Sequence, residues 1–139
     1  MIELFTFSLS LLLGIPDKLD DNADRMLLLA QDMIITLKEI SDSRKVDLKV
    51  RIGIHNGKVS SGVIGMKKFI YDVWSDDVAI ASKMESTGEP NTIQISSSVR
   101  MRLKLGFRFS EGQSVDLGKL GHTQTFFLDP REFFCPSFN

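Results

Sequence analysis

The stretch LKVRIGIHNGKVSSGVIGMKKFIYDVWSDDVAIASKMESTGE, residues Leu48 to Glu89, decides the fold. Apolar residues occupy every second position at its start, namely Leu48, Val50, Ile52 and Ile54. This two-residue period predicts a strand with one buried face. Asn56-Gly57 follows, and this pair favours a two-residue hairpin turn because both central residues of such a turn adopt positive φ. We therefore predict a hairpin in which a strand over 59–65 returns beside the first strand.

A third strand and a helix complete the stretch. The apolar run Phe69–Trp74 carries a single acid, Asp72. Ser75 lies where a helix N-cap belongs, and Asp76 and Asp77 follow in the predicted first turn, where negative charge suits the helix dipole. Two adjacent acids also raise the possibility of a metal site. Capping is the favoured interpretation, since neighbouring positions on a helix point away from each other.

A long amphipathic helix is predicted before this stretch. The apolar residues from position 23 fall on one stripe, formed by Ala23, Met26, Leu27, Ala30, Met33, Ile34, Leu37 and Ile40. The residues expected to face solvent are Asp24, Gln31, Asp32 and Lys38. Asp20, Asp21 or Asn22 can cap the helix.

After the stretch, the sequence predicts short strands and one brief helix. The strands are expected at 93–95, 107–110, 115–117 and 125–128, and the helix from Ser97 or Ser98 to Gly106. Helices and strands alternate without a strict βαβ rhythm, which favours an α+β domain with a mostly antiparallel sheet and helices packed on one face. The length of 139 residues corresponds to about one domain, here 1–130, followed by an aromatic C-terminal tail over 131–139.

The composition argues against nucleic-acid and membrane partners and against an internal disulfide. The formal net charge of −1 gives no overall field to attract nucleic acid or an anionic membrane, and lysines and arginines occur singly or in pairs. Cys135 is the only cysteine, so no internal disulfide forms, which fits a reduced cytosolic setting. The opening run MIELFTFSLSLLLGI is too short to span a bilayer; we expect a buried strand, with a clipped signal or anchor as the alternative.

Three segments carry a family resemblance. VRIGIHNGKVSSGVIG, YDVWSDDVAIASKMESTGEP and IQIS closely resemble the class III nucleotide cyclase catalytic domain, which makes cyclic AMP or cyclic GMP. The resemblance runs roughly from Gly14 to Leu128. It implies the family's ferredoxin-like cyclase fold, N-terminally truncated and lacking the first elements, because nothing in the chain matches the family's early metal-binding strand.

The run VWS most resembles the first cytoplasmic half of a membrane adenylate cyclase. This likeness implies a cytoplasmic domain of a plasma-membrane protein, with ATP as substrate and a second cyclase catalytic half as partner. It implies no nucleic-acid partner, and contact with a membrane only through segments missing from this sequence.

The resemblance also assigns residues to substrate and regulatory pockets. Arg51 matches the phosphate-contacting arginine, and its guanidinium fork can hold two phosphate oxygens. Asp72 matches the purine-recognising acid, which would accept a hydrogen bond from the adenine amino group. Trp74 and Ser75 match positions that face a regulatory diterpene pocket. The alternatives are a solvated strand arginine at Arg51 and a capping or turn acid at Asp72.

The family's transition-state groups are altered in this sequence. The asparagine position falls on Ala79, which offers no donor, and the arginine position falls on Lys83, which keeps the charge and loses the planar fork. The late phosphate lysine falls on Gly118, with Lys119 one residue further. Lys83 and Lys119 are therefore the remaining catalytic candidates, against the alternative that both are solvated surface lysines.

The family uses Mg²⁺ or Mn²⁺ held by two aspartates. Counting back from Gly14 places the second aspartate position on Phe7, which cannot coordinate a hard cation that requires oxygen ligands. We therefore predict no metal ligand in this chain. His55 is interpreted as structural, because the sequence shows no general-base partner for it.

Two functional hypotheses follow. The first is part of an adenylate cyclase catalytic domain that converts ATP to cyclic AMP and pyrophosphate, inactive alone and completed by a second half. The alternative is a non-catalytic regulatory or dimerisation module derived from such a domain, motivated by the missing metal ligands.

Overall fold

The computed structural model describes residues 11, 13, 19–58, 60–64, 70–74 and 76–134, with 60–64, 70–74, 133 and 134 described by backbone alone. The helices are α1 (Asn22–Arg44), α2 (Asp76–Ser86) and α3 (Ser97–Arg100). The strands are β1 (Arg51–Ile54), β2 (Ser60–Ile64), β3 (Ile70–Trp74), β4 (Thr92–Ser96), β5 (Phe109–Asp116) and β6 (His122–Leu128). Two 3₁₀ turns cover Gly118–Leu120 and Pro130–Phe134.

The described strands form two sheets. The larger sheet has the order β1-β4-β6-β5, and the smaller one pairs β2 with β3. The β1–β4 pair is parallel, and the other three pairs are antiparallel. The predicted α+β class with a mostly antiparallel sheet is therefore confirmed.

The predicted Asn56-Gly57 hairpin is wrong. β1 pairs with β4, and β2 pairs with β3, so the two strands that flank the turn belong to different sheets. Neither Asn56 nor Gly57 has the positive φ that a two-residue hairpin turn needs. The backbone N–H of Lys58 donates instead to the carboxylate of Asp77 in α2, at 2.7 Å. This backbone donor is therefore bonded to α2 and not to a neighbouring strand.

The helices lie on both faces of the larger sheet, whereas the sequence predicts them on one face. Ile52 and Ile54 pack into the main core, which also contains Leu27 of α1 and Val99 of α3. The intervening Gly53 faces the backbone of α2. Because alternate residues of a strand point to opposite faces, α1 and α3 share one face and α2 covers the other.

The long helix α1 buries two polar residues that the sequence predicts to face solvent. Asp24 is 4% exposed, and its carboxylate accepts hydrogen bonds from the backbone N–H groups of Lys104 and Leu105. Gln31 is 7% exposed and donates to the carbonyl oxygen of Glu132. Both side chains are buried because they bond backbone groups of segments that are distant in sequence. The hydrophobic period of α1 does not reveal such contacts.

In the described part of the chain, no helix has the length and apolar character needed to cross a bilayer.

The last strands and helix differ in length from the prediction. β5 is one continuous strand of eight residues with a bulge between Glu111 and Ser114, where the sequence predicts two shorter strands. Gly112 lies in this bulge, where a Cβ would stand 2.4 Å from the hydroxyl of Thr125. α3 ends at Arg100 and continues as turns instead of reaching Gly106.

The beginning of the predicted tail is attached to the domain. Besides its carbonyl contact with Gln31, Glu132 accepts a hydrogen bond from Arg108 at 2.8 Å. The boundary at residue 130 stays a prediction.

Asp129, directly after β6, gives a testable pH dependence. Side-chain and backbone hydrogen bonds from Arg131 lower the pKa of Asp129 to about 2. Because this carboxyl pKa is depressed in the folded state, its stabilising contribution is complete above the ordinary value of 3.8 and is lost as the pH falls towards 2. We expect Arg131→Ala to raise the pKa of Asp129 towards its ordinary value, measured by the carboxyl ¹³C shift during an NMR titration. An unchanged midpoint in the variant would contradict this account.

Candidate functional site

The turn after β1 closes around one carboxylate of α2. Asp77 Oδ2 accepts the backbone N–H of Lys58, and Asp77 Oδ1 lies 3.0 Å from Nε2 of His55. A Cβ at Gly57 would stand 2.1 Å from the Asp77 carboxyl carbon, so any other residue there would displace the acid from its present position. The charge in the first turn of α2 thus fixes the turn as well as suiting the helix dipole.

The contacts of His55 define its tautomer. Because a carboxylate only accepts hydrogen bonds, Nε2 carries the proton that is donated to Asp77. In the neutral ring, Nδ1 is then an acceptor, and the hydroxyl of Ser96 lies 2.8 Å from it. The ring is 10% exposed, so this orientation is held in a partly dry environment.

Two serines extend the network to β4 and α3. Ser98 Oγ lies 2.9 Å from Ser96 Oγ and donates to the carbonyl oxygen of Asn56. Ser96 is fully buried, which excludes it as a nucleophile for an external substrate. The cluster therefore joins the turn, α2 and the β4–α3 junction. This agrees with a structural role for His55, but the sequence interpretation missed its carboxylate partner.

Arg51 lies on the α2 face of β1, as the alternation predicts. Its Nε donates to Glu85 Oε1 at 3.0 Å, and both side chains are about two-fifths exposed. Among the described residues, the two terminal guanidinium nitrogens have no recorded partner. Glu85 thus orients the guanidinium while leaving donors for an incoming anion.

Two of the three residues predicted for purine and regulatory binding lie in β3. Asp72 is the central residue of this strand and pairs with Gly62 of β2, and Trp74 is its last residue, opposite Ser60. Ser75 lies outside the described residues. The backbone therefore places Asp72 in the smaller sheet, four residues before α2 begins.

Lys83 borders a hollow of about 290 Å³ between the end of α2 and β5. The other lining residues are Thr87, Glu89, Gln94, Gln113, Ser114, Val115, Asp116 and Phe127. Gln94 is 1% exposed and donates to Thr87 at 3.4 Å. Its Oε1 has no hydrogen-bond partner among the described residues. The hollow therefore offers the cation of Lys83, the carboxylates of Glu89 and Asp116, and the unpaired buried oxygen of Gln94.

The side of α2 that Arg51 contacts differs from the side that carries Lys83. Arg51 contacts Glu85, and positions two residues apart on a helix lie on opposite sides, so Lys83 faces β5 instead. Lys119 is exposed in the 3₁₀ turn that follows β5, three residues after Asp116. The structure thus brings Lys83 near the strand that leads to Lys119, and it separates both lysines from Arg51.

The described residues contain no cluster of three or more histidine, cysteine or acidic side chains that could hold a metal ion. Asp77 is engaged with His55 and Lys58, so the metal alternative for Asp76 and Asp77 gains no support. Phe7, the position that matches a metal aspartate, lies outside the described residues. The absence of metal ligands from this chain stays a prediction.

The comparisons with known proteins agree with the fold and the motifs. Residues 8–130 match the family model of the adenylate and guanylate cyclase catalytic domain. An adenylate cyclase of Mycobacterium bovis is 34% identical over 119 residues, which is 86% of this chain and 27% of that protein. The chain therefore spans about a quarter of the length of this relative.

Two solved structures are similar throughout most of the chain. The guanylate cyclase domain of RhGC from Catenaria anguillulae, in complex with GTP, has a TM-score of 0.75 and 30% identity, covering 84% of this chain and 64% of that one. A non-canonical dimeric guanylyl cyclase domain of the RhoGC fusion protein from Blastocladiella emersonii has a TM-score of 0.68 and 29% identity, covering 83% of this chain and 62% of that one. The predicted cyclase fold is confirmed, and the chain belongs to the adenylate and guanylate cyclase catalytic-domain family.

Proposed function

We propose that this chain is part of an adenylate cyclase catalytic domain, which converts ATP to cyclic AMP and pyrophosphate in intracellular signalling, and that it needs a second cyclase half. The observation that carries the proposal is the separation of Arg51 from Lys83 on opposite sides of α2. One polypeptide then supplies these cations to two different surfaces. A complete phosphate site needs groups that converge, so a partner must provide the others.

The choice of ATP has two supports, and the choice of a dimer has one. The Mycobacterium bovis relative is an adenylate cyclase, and Asp72 is an acid that can accept from the adenine amino group. The Blastocladiella emersonii domain has been crystallised as a non-canonical dimer and also as a monomer, and the dimer supports a second cyclase domain as the partner. Within a cytoplasmic domain of a plasma-membrane protein, the partner would be held nearby at high effective concentration.

The chemistry defines a role for each candidate residue. In cyclisation the ribose 3′ oxygen attacks the α-phosphorus, the bond to the pyrophosphate oxygen breaks, and pyrophosphate leaves with the electron pair. Arg51 would hold phosphate oxygens with its terminal nitrogens, while Glu85 keeps its fork in place. Lys83 and Lys119 would contribute positive charge at the surface near β5, where Ala79 offers no hydrogen bond.

A divalent ion, Mg²⁺ or Mn²⁺, would supply charge neutralisation at the phosphates in the complete enzyme. The described residues of this chain form no cluster of three or more ligands that could hold it. Its ligands would belong to the second half or to residues outside the described part. The second candidate function is a non-catalytic regulatory or dimerisation module, which the missing metal ligands favour.

A complementation assay distinguishes the two functions. We expect the chain alone to form no cyclic AMP from ATP and Mn²⁺, because the converging groups are absent. We then mix the chain with the complementary second half of a membrane adenylate cyclase, which is also inactive alone. The mixture should restore cyclic AMP formation, measured by mass spectrometry. Turnover by the isolated chain would contradict the half-site proposal, and a stable complex without turnover would establish the regulatory module instead.

A matched pair of variants tests the role of Arg51 in the restored enzyme. Arg51→Ala should lower kcat/KM by about tenfold or more, because a charge-assisted phosphate contact is lost. Glu85→Ala removes the same ion pair but keeps the guanidinium, so it should change kcat/KM by only about twofold. Equal losses in the two variants would assign Arg51 to the ion pair alone.

A further inference from the structure

The segment Arg100–Arg108, RMRLKLGFR, is strongly basic although the whole chain carries a net charge of only −1. We call it the basic loop. It holds four cations in nine residues, and no acid occurs between Glu89 and Glu111. Its cations are separated by single apolar residues for most of its length. The pattern therefore interleaves positive charge with apolar side chains, which the composition of the whole chain conceals.

The basic loop is held firmly against the domain. Asp24 accepts the backbone N–H groups of Lys104 and Leu105 at 2.9–3.2 Å. Leu103 and Phe107 pack against the main core. Because these side chains point inward and the backbone is fixed, the remaining side chains of the loop are presented outward in a defined arrangement.

Two apolar side chains lie at this outer surface. Met101 is 80% exposed, the highest value among the large exposed hydrophobic residues of the described chain, and Leu105 is 49% exposed. Contact with water is unfavourable for exposed methionine and leucine side chains. They are suited to a partner that offers an apolar layer.

The charges around them are only partly compensated. Arg102 is exposed, and its guanidinium has no recorded partner in the described part of the chain. The side chain of Arg108 is 64% exposed, whereas its partner Glu132 is 11% exposed and lies beneath it. Lys104 has two acids near it: Asp24, which accepts its backbone N–H, and Asp21, which is itself paired with Arg25.

Arg100 is the fourth cation of the basic loop. Its guanidinium lies over the rings of Phe126 and Phe109, at 4.2 and 5.7 Å from the ring centres. This stacking fixes the arginine while its charge remains at the exposed face.

We propose that the basic loop binds the surface of an anionic lipid bilayer. Arg102, Lys104 and Arg108 would contact lipid phosphates and carboxylates, and Met101 and Leu105 would insert among the headgroups. The interleaved apolar side chains favour a bilayer over nucleic acid, whose phosphate backbone offers them nothing. This inference does not depend on catalysis or on a second cyclase half.

Vesicle co-sedimentation of the full chain tests the proposal. We expect binding to phosphatidylcholine vesicles that contain about a third phosphatidylserine, no binding to pure phosphatidylcholine, and loss of binding at high salt. Arg102→Glu with Lys104→Glu should weaken binding about tenfold or more, and Met101→Ser with Leu105→Ser by severalfold. The control is Arg44→Glu with Lys49→Glu, a charge change of the same size at exposed positions elsewhere, which should change binding by less than about twofold.

Several outcomes would overturn the proposal. These are no binding to the anionic vesicles at low salt, equal binding to neutral vesicles, or an equal loss in the control. Binding to an oligonucleotide but not to the vesicles would identify a nucleic-acid surface instead. Circular dichroism of each variant establishes that the fold is retained, and if the apolar pair fails to fold, the charge-reversal pair still decides the result.

Discussion

Replacing Gly53 with alanine should lower the free energy of unfolding by about 3 kcal/mol or more. A Cβ at this position would lie 2.1 Å from the backbone nitrogen of Glu85, 2.6 Å from the carbonyl carbon of Met84 and 2.8 Å from the carbonyl oxygen of Ala81. All three atoms belong to the backbone of α2, which no rotamer change can move. The helix must therefore separate from β1, and chemical denaturation followed by circular dichroism measures the cost.

Gly106→Ala is the matched control for this substitution. A Cβ at Gly106 would meet nothing within 4 Å, and its φ lies outside the left-handed region. The change in unfolding free energy should stay within about 0.5 kcal/mol. If Gly53→Ala were as mild as this control, the close approach of α2 to β1 would be refuted.

Asp77→Ala is expected to lower the free energy of unfolding by about 2–3 kcal/mol. The substitution leaves the Nε2 proton of the nearly buried His55 and the backbone N–H of Lys58 without their acceptor. It also removes an acid from the first turn of α2. The loss is measured by denaturation, and faster hydrogen exchange at the Lys58 amide should accompany it because the turn is released.

Asp77→Asn separates hydrogen bonding from charge. Its amide oxygen can still accept from Lys58, and its NH₂ group can donate to Nε2 if the His55 proton moves to Nδ1 and is donated to Ser96. We expect a loss of about 1 kcal/mol and a tautomer change visible in the ¹⁵N shifts of the ring. A loss equal to that of the alanine variant, with the original tautomer, would show that the negative charge itself holds the turn.

Much of the fold was predictable because local patterns and tertiary contacts agree. The α1 stripe placed Leu27, Ala30 and Ile34 in the core, where the structure buries them, but it also included Ile40, which is 44% exposed. The period-two pattern likewise assigned Ile52 and Ile54 to one face of β1. In both cases the hydrophobic period of the element equals its geometric period, so sequence order is sufficient.

The site was less predictable because its contacts join residues far apart in sequence. The sequence indicated the acids in the first turn of α2 but not that Asp77 reaches His55, 22 residues away. A usable signal exists, since Gly53 and His55 lie on the same face of β1. A glycine packed under a helix predicts that the next residue on that face meets the same helix.

The sequence by itself determined the element types, the family through its long ordered motifs, the core face of β1 and the apolar core positions in the first half of α1. Only the tertiary structure decided that β1 pairs with β4, that α2 covers the second face, and that Asp24 and Gln31 are buried. The physical reason is the range of the forces involved. Periodicity and capping act within a few residues, whereas strand pairing and buried hydrogen bonds depend on which distant segments the fold brings together.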